Sequence, residues 1–440
     1  MTNRHSRRHF LMGAAATAAS LAQARLLRGV PAGYSAAEKV NVAQIGTTGK
    51  GTADLKGVSD AGGNIVALCD VDERHVLAAA RTYTKATHHK DFRRMLEQQK
   101  DIDAVVVTIP DHQHAVAAMT AMGLGKHVYC QKPLTHDISE ARMLADAARR
   151  YKLATQMGNQ GHAGDNLRMQ VDWIQQGVIG PVGEVHMWTN RPIWPQGQDP
   201  PKDSPPVPPS LDWDLWLGTA PARPYSPAYH PFKWRGFWDF GTGALGDMGC
   251  HIIDLPFWAL NLTGPCTVEA ESGGQTPESG PLWSIVTWEF GARGSNPPVK
   301  MKWYDGGKMP PKPEGMSDET WKASKEGGVM FIGQKGVMAG ARAKPPNVLG
   351  ELGKDLTPPV PKIPRSAGHY VEWLSACRGG PPAGTNFDYA GPLTELVLLG
   401  NIAIRCGKRI EWDAGQLKIT NVLEANELLR REYRKGWELG

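Results

Sequence analysis

No tryptophan precedes Trp173, although the 440-residue chain has 15 of them. So uneven a spread of the largest aromatic side chain divides the molecule into two parts with different work. Cysteine is scarce as well. Cys69, Cys130, Cys250, Cys266, Cys377 and Cys406 are widely scattered, with no CxxC and no zinc-type spacing. That excludes a disulfide framework and reads as buried thiols. No run beyond the N-terminus approaches the roughly 18 apolar residues of a membrane helix, so no membrane insertion of the mature chain is expected. An excess of one charge is missing too: the formal net charge is +5, which is no nucleic-acid footprint. There is no internal repeat, and the length suits two domains.

What is present starts at the first residue. In "MTNRHSRRHFLMGAAATAAS", Arg7 and Arg8 stand before Phe10 and Leu11, an alanine-rich run follows, and Ala22-Gln23-Ala24 supplies a small-x-small cleavage site. This is the order of a secretory signal. Twin arginines address a route that carries proteins already folded. Residues 1–24 are therefore expected to engage export machinery, with 25–37 as a linker and a periplasmic bacterial product. Buried thiols suit a chain that folds in a reducing cytoplasm and is exported afterwards.

From Lys39 the text reads "KVNVAQIGTTGKGTADL". A β-rich run ends in Gly46-Thr-Thr-Gly49-Lys-Gly51 and a helix-compatible stretch follows. Against G-x-G-x-x-G, Gly46 and Gly51 hold the outer positions and Thr48 the middle one, where a hydroxyl replaces the usual close backbone approach to a pyrophosphate. A ligand-free strand-to-helix turn would read the same. Context favours a nucleotide: a second strand, "NIVALCD", ends at Asp70, placed to accept bonds from ribose hydroxyls and to repel a 2′-phosphate, hence NAD rather than NADP. Helices over about 73–83 and 92–98, the strand "DAVVVTIP" and a turn-helix-strand run to "CQKP" complete a doubly wound parallel pattern. Pro110, His114, Gln131 and Lys132 then gather at the carboxyl ends of the strands, where ligands sit. This Rossmann domain is expected over 38–158.

With "CQKP" at 130–133, "GALGDMGCHIID" at 243–254, the Gly46–Gly51 turn and the closing "LLGNIAIRCGKRIEWD", the sequence resembles the Gfo/Idh/MocA (glucose–fructose oxidoreductase / inositol dehydrogenase) family over about residues 38–420. The resemblance implies an α/β protein in which a Rossmann domain precedes a C-terminal domain (here 159–440) built on a large, mostly antiparallel sheet. It also implies NAD chemistry and a homo-oligomer formed through the open sheet face. The family's catalytic lysine maps onto Lys132 and its Asp-x-x-x-His pair onto Asp247 and His251. Gln131 replaces the usual glutamate of E-K-P.

Oxidising a secondary alcohol removes a proton from oxygen while hydride leaves carbon. Histidine suits the proton, and a lysine cation stabilises developing alkoxide. Asp247 and His251 are four apart, on one face if helical. Asp247, His251 and Asp254 together would also suit zinc or manganese, but a nicotinamide makes a Lewis acid unnecessary, and no metal is expected. In "MGNQGHAGDN", Asn159 and His162 are candidate hydroxyl-binding groups, as is Asp254; capping and packing roles are equally open to the histidines. A proline-rich insertion at 192–210 is expected to be an extended surface loop. The aromatic cluster after it, including Trp213, Trp216, Tyr229, Trp234 and Trp238 with Lys233, Arg235 and Asp239 among them, is a candidate sugar-stacking surface or a core. The expectation is an exported NAD-dependent oxidoreductase of a carbohydrate or polyol. A redox-neutral glycoside-cleaving enzyme and a non-catalytic sugar-binding protein stand as alternatives.

Overall fold

The computed structural model describes residues 39–294, 296–340 and 344–439; the expected signal and linker lie outside them. In the N-terminal half, six short strands alternate with helices: β1 (Asn41–Ile45), β2 (Asn64–Cys69), β3 (Thr87–His89), β4 (Ala104–Val107), β5 (His127–Cys130) and β6 (Thr155–Met157). They form one parallel sheet in the order β3-β2-β1-β4-β5-β6, the doubly wound arrangement. The continuous apolar text of "AVVV" in β4 is explained by helices on both faces, since all four residues are buried.

A second sheet of eight strands runs β12-β11-β7-β10-β9-β8-β13-β14. Its members are β7 (Val182–Thr189), β8 (Cys266–Gly273), β9 (Trp283–Phe290), β10 (Val299–Tyr304), β11 (Gly327–Gly333), β12 (Val337–Gly340), β13 (Ile410–Asp413) and β14 (Lys418–Ile419). All pairings are antiparallel except β7 with β10. The sequence pattern places β7 as far as Trp194; the strand stops at Thr189, before Pro192, which has no N–H for a ladder. The proline-rich run that follows, 192–210, joins no sheet.

Seven helices position the site. They are α1 (Lys50–Asp60), α2 (Ile138–Tyr151), α3 (Asp165–Gln175), α4 (Gly243–Ile252), α5 (Asp254–Leu260), α6 (His369–Cys377) and α7 (Phe387–Cys406). α2 starts with a capping box between Asp137 and Glu140. α7 is apolar nearly all round because it is buried nearly all round, between α2 of the first half and strands β8 and β9 of the second. The two halves thus share one core. α6 goes further: although it lies late in the chain, its Trp373, Leu374 and Cys377 pack with Val40, Val42 and Leu55 against the Rossmann sheet. All six cysteines are free thiols, five of them buried. Among the described residues no helix is long and apolar enough to cross a membrane.

Candidate active site

A cavity of about 460 Å³ follows the carboxyl ends of β1, β2, β4 and β5 and extends to α4. Its first wall is the glycine turn. Gly46 has φ +84°, and a Cβ there would sit 2.0 Å from the Thr108 carbonyl oxygen; one on Gly51 would sit 2.1 Å from that of Gly46. These two glycines let the turn close on itself, so Gly51 supports the cavity without lining it. Gly46, Thr48 and Gly49 do line it. A Cβ built on Gly49 meets nothing within 4 Å, and α1 begins beside it with no side-chain cap. The Gly51 N–H bonds the Thr48 carbonyl at 2.9 Å, and the rest of that uncapped first turn fits a pyrophosphate.

Further along, Asp70 lines the cavity at the end of β2. Its carboxylate accepts bonds from the Thr47 backbone N–H (2.9 Å), the Thr47 hydroxyl (3.2 Å) and the Asp72 N–H (3.1 Å). It also lies 3.5 Å from His75 Nδ1, and this carboxylate raises the His75 pKa above its ordinary value, against the desolvation that lowers it. A fixed negative charge there suits ribose hydroxyls and opposes a 2′-phosphate. Pro110 also lines the cavity. His114 borders it, but its ring is clamped between the carbonyls of Pro133 (2.8 Å) and Ile109 (2.9 Å), and burial lowers its pKa. It ties the turn after β4 to the lysine loop.

Gln131 explains its own departure from E-K-P. Its amide donates to Asp54 at 2.9 Å, inside α1. Asp54 has no exposed surface and also accepts from Lys50 (2.6 Å), Tyr370 (2.7 Å) and Thr108 (2.9 Å). A glutamate at 131 would set a second carboxylate against this one with no proton between them, so the neutral amide fits where the acid does not. Tyr370 comes from α6, which is why a late helix has to return to the first domain.

At the far end stand Lys132, Asp247 and His251. α4 carries the last two because its glycines let it lie close to α7: a Cβ on Gly249 would be 2.7 Å from Val397. Lys132 Nζ donates to the Asp247 carboxylate (2.9 Å) and to its backbone carbonyl (2.7 Å). Arg235 Nε is 3.4 Å from the same carboxylate. Burial pushes the Asp247 pKa up, but the charges of Lys132 and Arg235, with the lysine hydrogen bond and Arg191, outweigh it and hold the group below its ordinary value. Asp247 is therefore an anion at neutral pH. Trp234 lines this end of the cavity.

Four expected substrate residues are elsewhere. Asn159, His162 and Asp254 are brought together, but behind α4 and α5, outside the cavity. Asp254 is buried and accepts from Asn159 Nδ2 (3.1 Å), His162 Nδ1 (3.0 Å) and the Tyr389 hydroxyl (2.6 Å). His162 stacks on Trp258 with centroids 4.1 Å apart. Asp254 opens α5, with only Ile253 between it and the end of α4, and is bonded to this cluster instead of lining the cavity as Asp247 and His251 do. Trp238 is core: its ring packs under Arg405 and its carbonyl receives His136 Nε2 at 2.8 Å. Among the described residues no cluster of three or more His, Cys, Asp or Glu is arranged to hold a metal.

The rest of the aromatic cluster does different work from sugar stacking. Leu211, Trp216, Tyr229, Trp234, Phe237 and Phe240 form a core of their own, of which Trp216 and Trp234 also show a face to the cavity. The chain leading into it is stitched to the end of β2, with Glu73 N–H on the Ser210 carbonyl and Asp212 N–H on that of Val71, both at 2.9 Å. Leu215, Trp216 and His230 thereby roof the Asp70 end of the cleft, with Trp437 from the C-terminal tail. Aromatic composition signals such a cover; no spacing in the sequence says which end of the cleft it covers. Arg191, which lines the catalytic end, belongs to no motif and was not legible at all.

A cleft running from an open glycine turn to a lysine, an aspartate and a histidine defines an oxidoreductase class with a Rossmann nucleotide site. The profile of an oxidoreductase family, NAD-binding Rossmann fold, matches residues 40–159, and that of the same family's C-terminal alpha/beta domain matches 182–296. Together they cover just over half of the chain, which belongs to the Gfo/Idh/MocA oxidoreductase family; NAD is the cofactor of its Rossmann domain. Levoglucosan dehydrogenase of Pseudarthrobacter phenanthrenivorans is 26% identical over 178 residues, 40% of this chain and 37% of its own. Inositol 2-dehydrogenase of Gluconacetobacter diazotrophicus is 31% identical over 161 residues, 36% and 48%. Alpha-N-acetylgalactosaminidase of Shewanella oneidensis is 27% identical over 206 residues, 41% and 44%. The chain thus spans less than half the length of these curated relatives. Among solved structures, the WlbA dehydrogenase of Bordetella pertussis in complex with NADH and UDP-GlcNAcA superposes with a TM-score of 0.60 at 16% identity, covering 85% of this chain and 99% of that one. Levoglucosan dehydrogenase with NADH and levoglucosan gives 0.58 at 16% identity, with the same coverages. At these identities the likeness is one of fold.

Proposed function

We propose that this is an exported NAD-dependent enzyme that oxidises or reduces a secondary hydroxyl of a sugar, glycoside or polyol, with its cofactor bound throughout. The observation that carries the reading is the ammonium of Lys132, fixed by Asp247 at 2.9 Å in the same cavity as His251. When bound, NAD supplies the hydride acceptor at nicotinamide C4. Lys132 donates to the reacting hydroxyl oxygen and stabilises the charge it gains as its proton leaves. His251 takes that proton while the C–H bond is lost as hydride and C=O forms. Asp247 anchors Lys132 and returns charge balance to the pair.

A second reading has its own support, the roof of Leu215, Trp216 and His230 over the nucleotide end. A cofactor so covered suits a cycle that restores it. Oxidation at C3 of a glycoside acidifies the C2 proton; its removal and departure of the aglycone as alcohol leave an enone, which water attacks before hydride returns to C3. The product is a hydrolysed glycoside with no net redox change. That one relative is a glycosidase fits this cycle.

The test is to purify the mature exported protein, identify the nucleotide released on denaturation, and supply a chromogenic glycoside without added NAD. Stoichiometric NAD(H) with aglycone release supports the redox-neutral cycle; bound NAD(H) with a keto product only when a second sugar is present supports net oxidation. A protein that carries no nucleotide and binds none added contradicts both.

A further inference from the structure

The catalytic end of the cavity has an imbalance of charge that a neutral sugar would leave uncorrected. Three basic side chains line it: Lys132, Arg191 and Arg235. Two carboxylates face them. Asp247 is shared between Lys132 (2.9 Å) and Arg235 (3.4 Å). Asp111 takes the Thr242 hydroxyl at 2.7 Å. Arg191 lowers the Asp247 pKa from a distance, so it belongs to the same group, yet its guanidinium bonds only the side-chain amide of its neighbour Asn190 and pairs with no carboxylate among the described residues. His251 stands at this end as well, and His114 beside it is clamped by two carbonyls; Lys50, Asp70, His75, Lys90 and Asp91 lie at the dinucleotide end.

Arg235 is also held in advance of any ligand. Its guanidinium lies 4.3 Å from the centre of the Trp234 ring, 4.7 Å from Phe232 and 5.9 Å from Trp194, and it donates to the Phe232 carbonyl at 3.0 Å. A fork fixed between rings loses little freedom on binding, and a planar guanidinium presents paired donors to an oxyanion. Phe232, itself 44% exposed, adds an apolar ring to the same wall. An arginine that bonds no carboxylate among the described residues, in the same cavity as a pre-set one and an aromatic ring, is the arrangement that receives a sugar bearing a negative charge.

We infer that the substrate is an acidic sugar, whose carboxylate or sulfate ester is received by Arg191 and Arg235 while Lys132 and His251 engage the reacting hydroxyl. This rests on reading the cavity as a sugar site, and it names the class of sugar. Carboxylate and sulfate share the chemistry the two arginines offer; the experiment separates them.

Holoprotein with its NAD in place is titrated calorimetrically, at low salt, with methyl glucuronide, methyl galacturonide, the corresponding neutral methyl glycosides and their 6-sulfates, while absorbance at 340 nm is followed in parallel. Expected is at least tenfold tighter binding of an acidic sugar than of its neutral counterpart, with the advantage shrinking as salt rises. In Arg191→Gln the ratio of acidic to neutral affinity falls towards one, and Arg191→Lys restores part of it. A uronide that binds best assigns a carboxylate, and a sulfate ester that binds best assigns a sulfate; either supports the inference. Neutral glycosides that bind and reduce the cofactor as well as their acidic counterparts overturn it and leave the oxidoreductase reading standing. Acidic sugars that bind selectively but never change the absorbance at 340 nm uphold the charge assignment and contradict the oxidoreductase reading. No measurable binding of any acidic sugar overturns the inference outright.

Discussion

Asp247 and Asp254 stand seven residues apart, on consecutive helices, each close to a histidine in sequence or in space. Their surroundings differ entirely. Asp247 is held by two cations, Lys132 and Arg235, and opens on the cavity. Asp254 is sealed among Asn159, His162 and Tyr389, three donors of which none is a permanent cation. Residues of the same type thus line the cavity on one side of the α4–α5 pair and pack in the interior on the other. What separates them is access to the cavity and the charge of the partners, neither of which is visible in residue type or spacing.

The largest expected effect breaks the first side. Lys132→Met removes the alkoxide-stabilising cation, and the rate of hydride exchange should fall about 10²–10⁴-fold. Bound NAD(H) should stay stoichiometric, since Lys132 is remote from the glycine turn; mass spectrometry of released nucleotide checks this alongside the rate. Breaking the second side should act on stability instead. Asp254→Ala leaves three buried donors without their acceptor and should cost about 3–5 kcal/mol in denaturant unfolding. In whatever fraction stays folded, hydride exchange should remain within a few-fold of the parent, and a loss as large as that of Lys132→Met would place Asp254 in the chemistry.

A third change sharpens the comparison with a carboxylate that belongs to neither side. Gln131→Glu sets an acid against buried Asp54 and should cost about 2–3 kcal/mol, read as a lower denaturant midpoint at pH 8. Asp54→Asn added to it should recover part of that loss. A further effect is one of pH, and it reads on the whole fold rather than on one residue. Burial lowers the pKa of His127 and His230 to about 4 and of His369 to about 3. Each binds a proton more readily unfolded than folded, so the stability it contributes is present above pH 6.5 and is lost as pH falls towards 4. Asp247, also lowered, adds a loss only below the ordinary carboxylate range. Thermal midpoints should decline from about pH 6.5 downwards, without salt dependence of the kind a surface ion pair would show, while His75, raised by Asp70, contributes in the opposite sense above that range.

How far the sequence can be read follows the same division. The glycine turn, the parallel strands, Asp70 and the i, i+4 pair Asp247–His251 are local patterns whose spacing is itself the geometry, and they were legible. Lys132 follows a strand end, and the doubly wound order brings it to the cleft. Asp254 is near Asp247 and His251 along the chain, yet it joins Asn159 and His162 outside the cavity, a packing that no periodicity records. Trp238 and Trp234 are four residues apart in one aromatic run and both are buried, yet only Trp234 also lines the cavity, because the short 3-10 helix Lys233–Gly236 ends between them. The reason for Gln131 lay in Asp54, 77 positions away. Arg191 emerges only once β7, α4 and the 230s loop are folded together.

The central claim is that Lys132, Asp247 and His251 exchange hydride between a sugar and an NAD the protein already carries. Rapid mixing of holoprotein with a bound-state concentration of its sugar, no cofactor added, followed at 340 nm, tests it most directly. A reduced-nicotinamide signal of up to one equivalent per chain, absent in Lys132→Met, is the result predicted. Full occupancy by nucleotide and sugar with no such signal in the parent protein, or an undiminished signal in the variant, would contradict it.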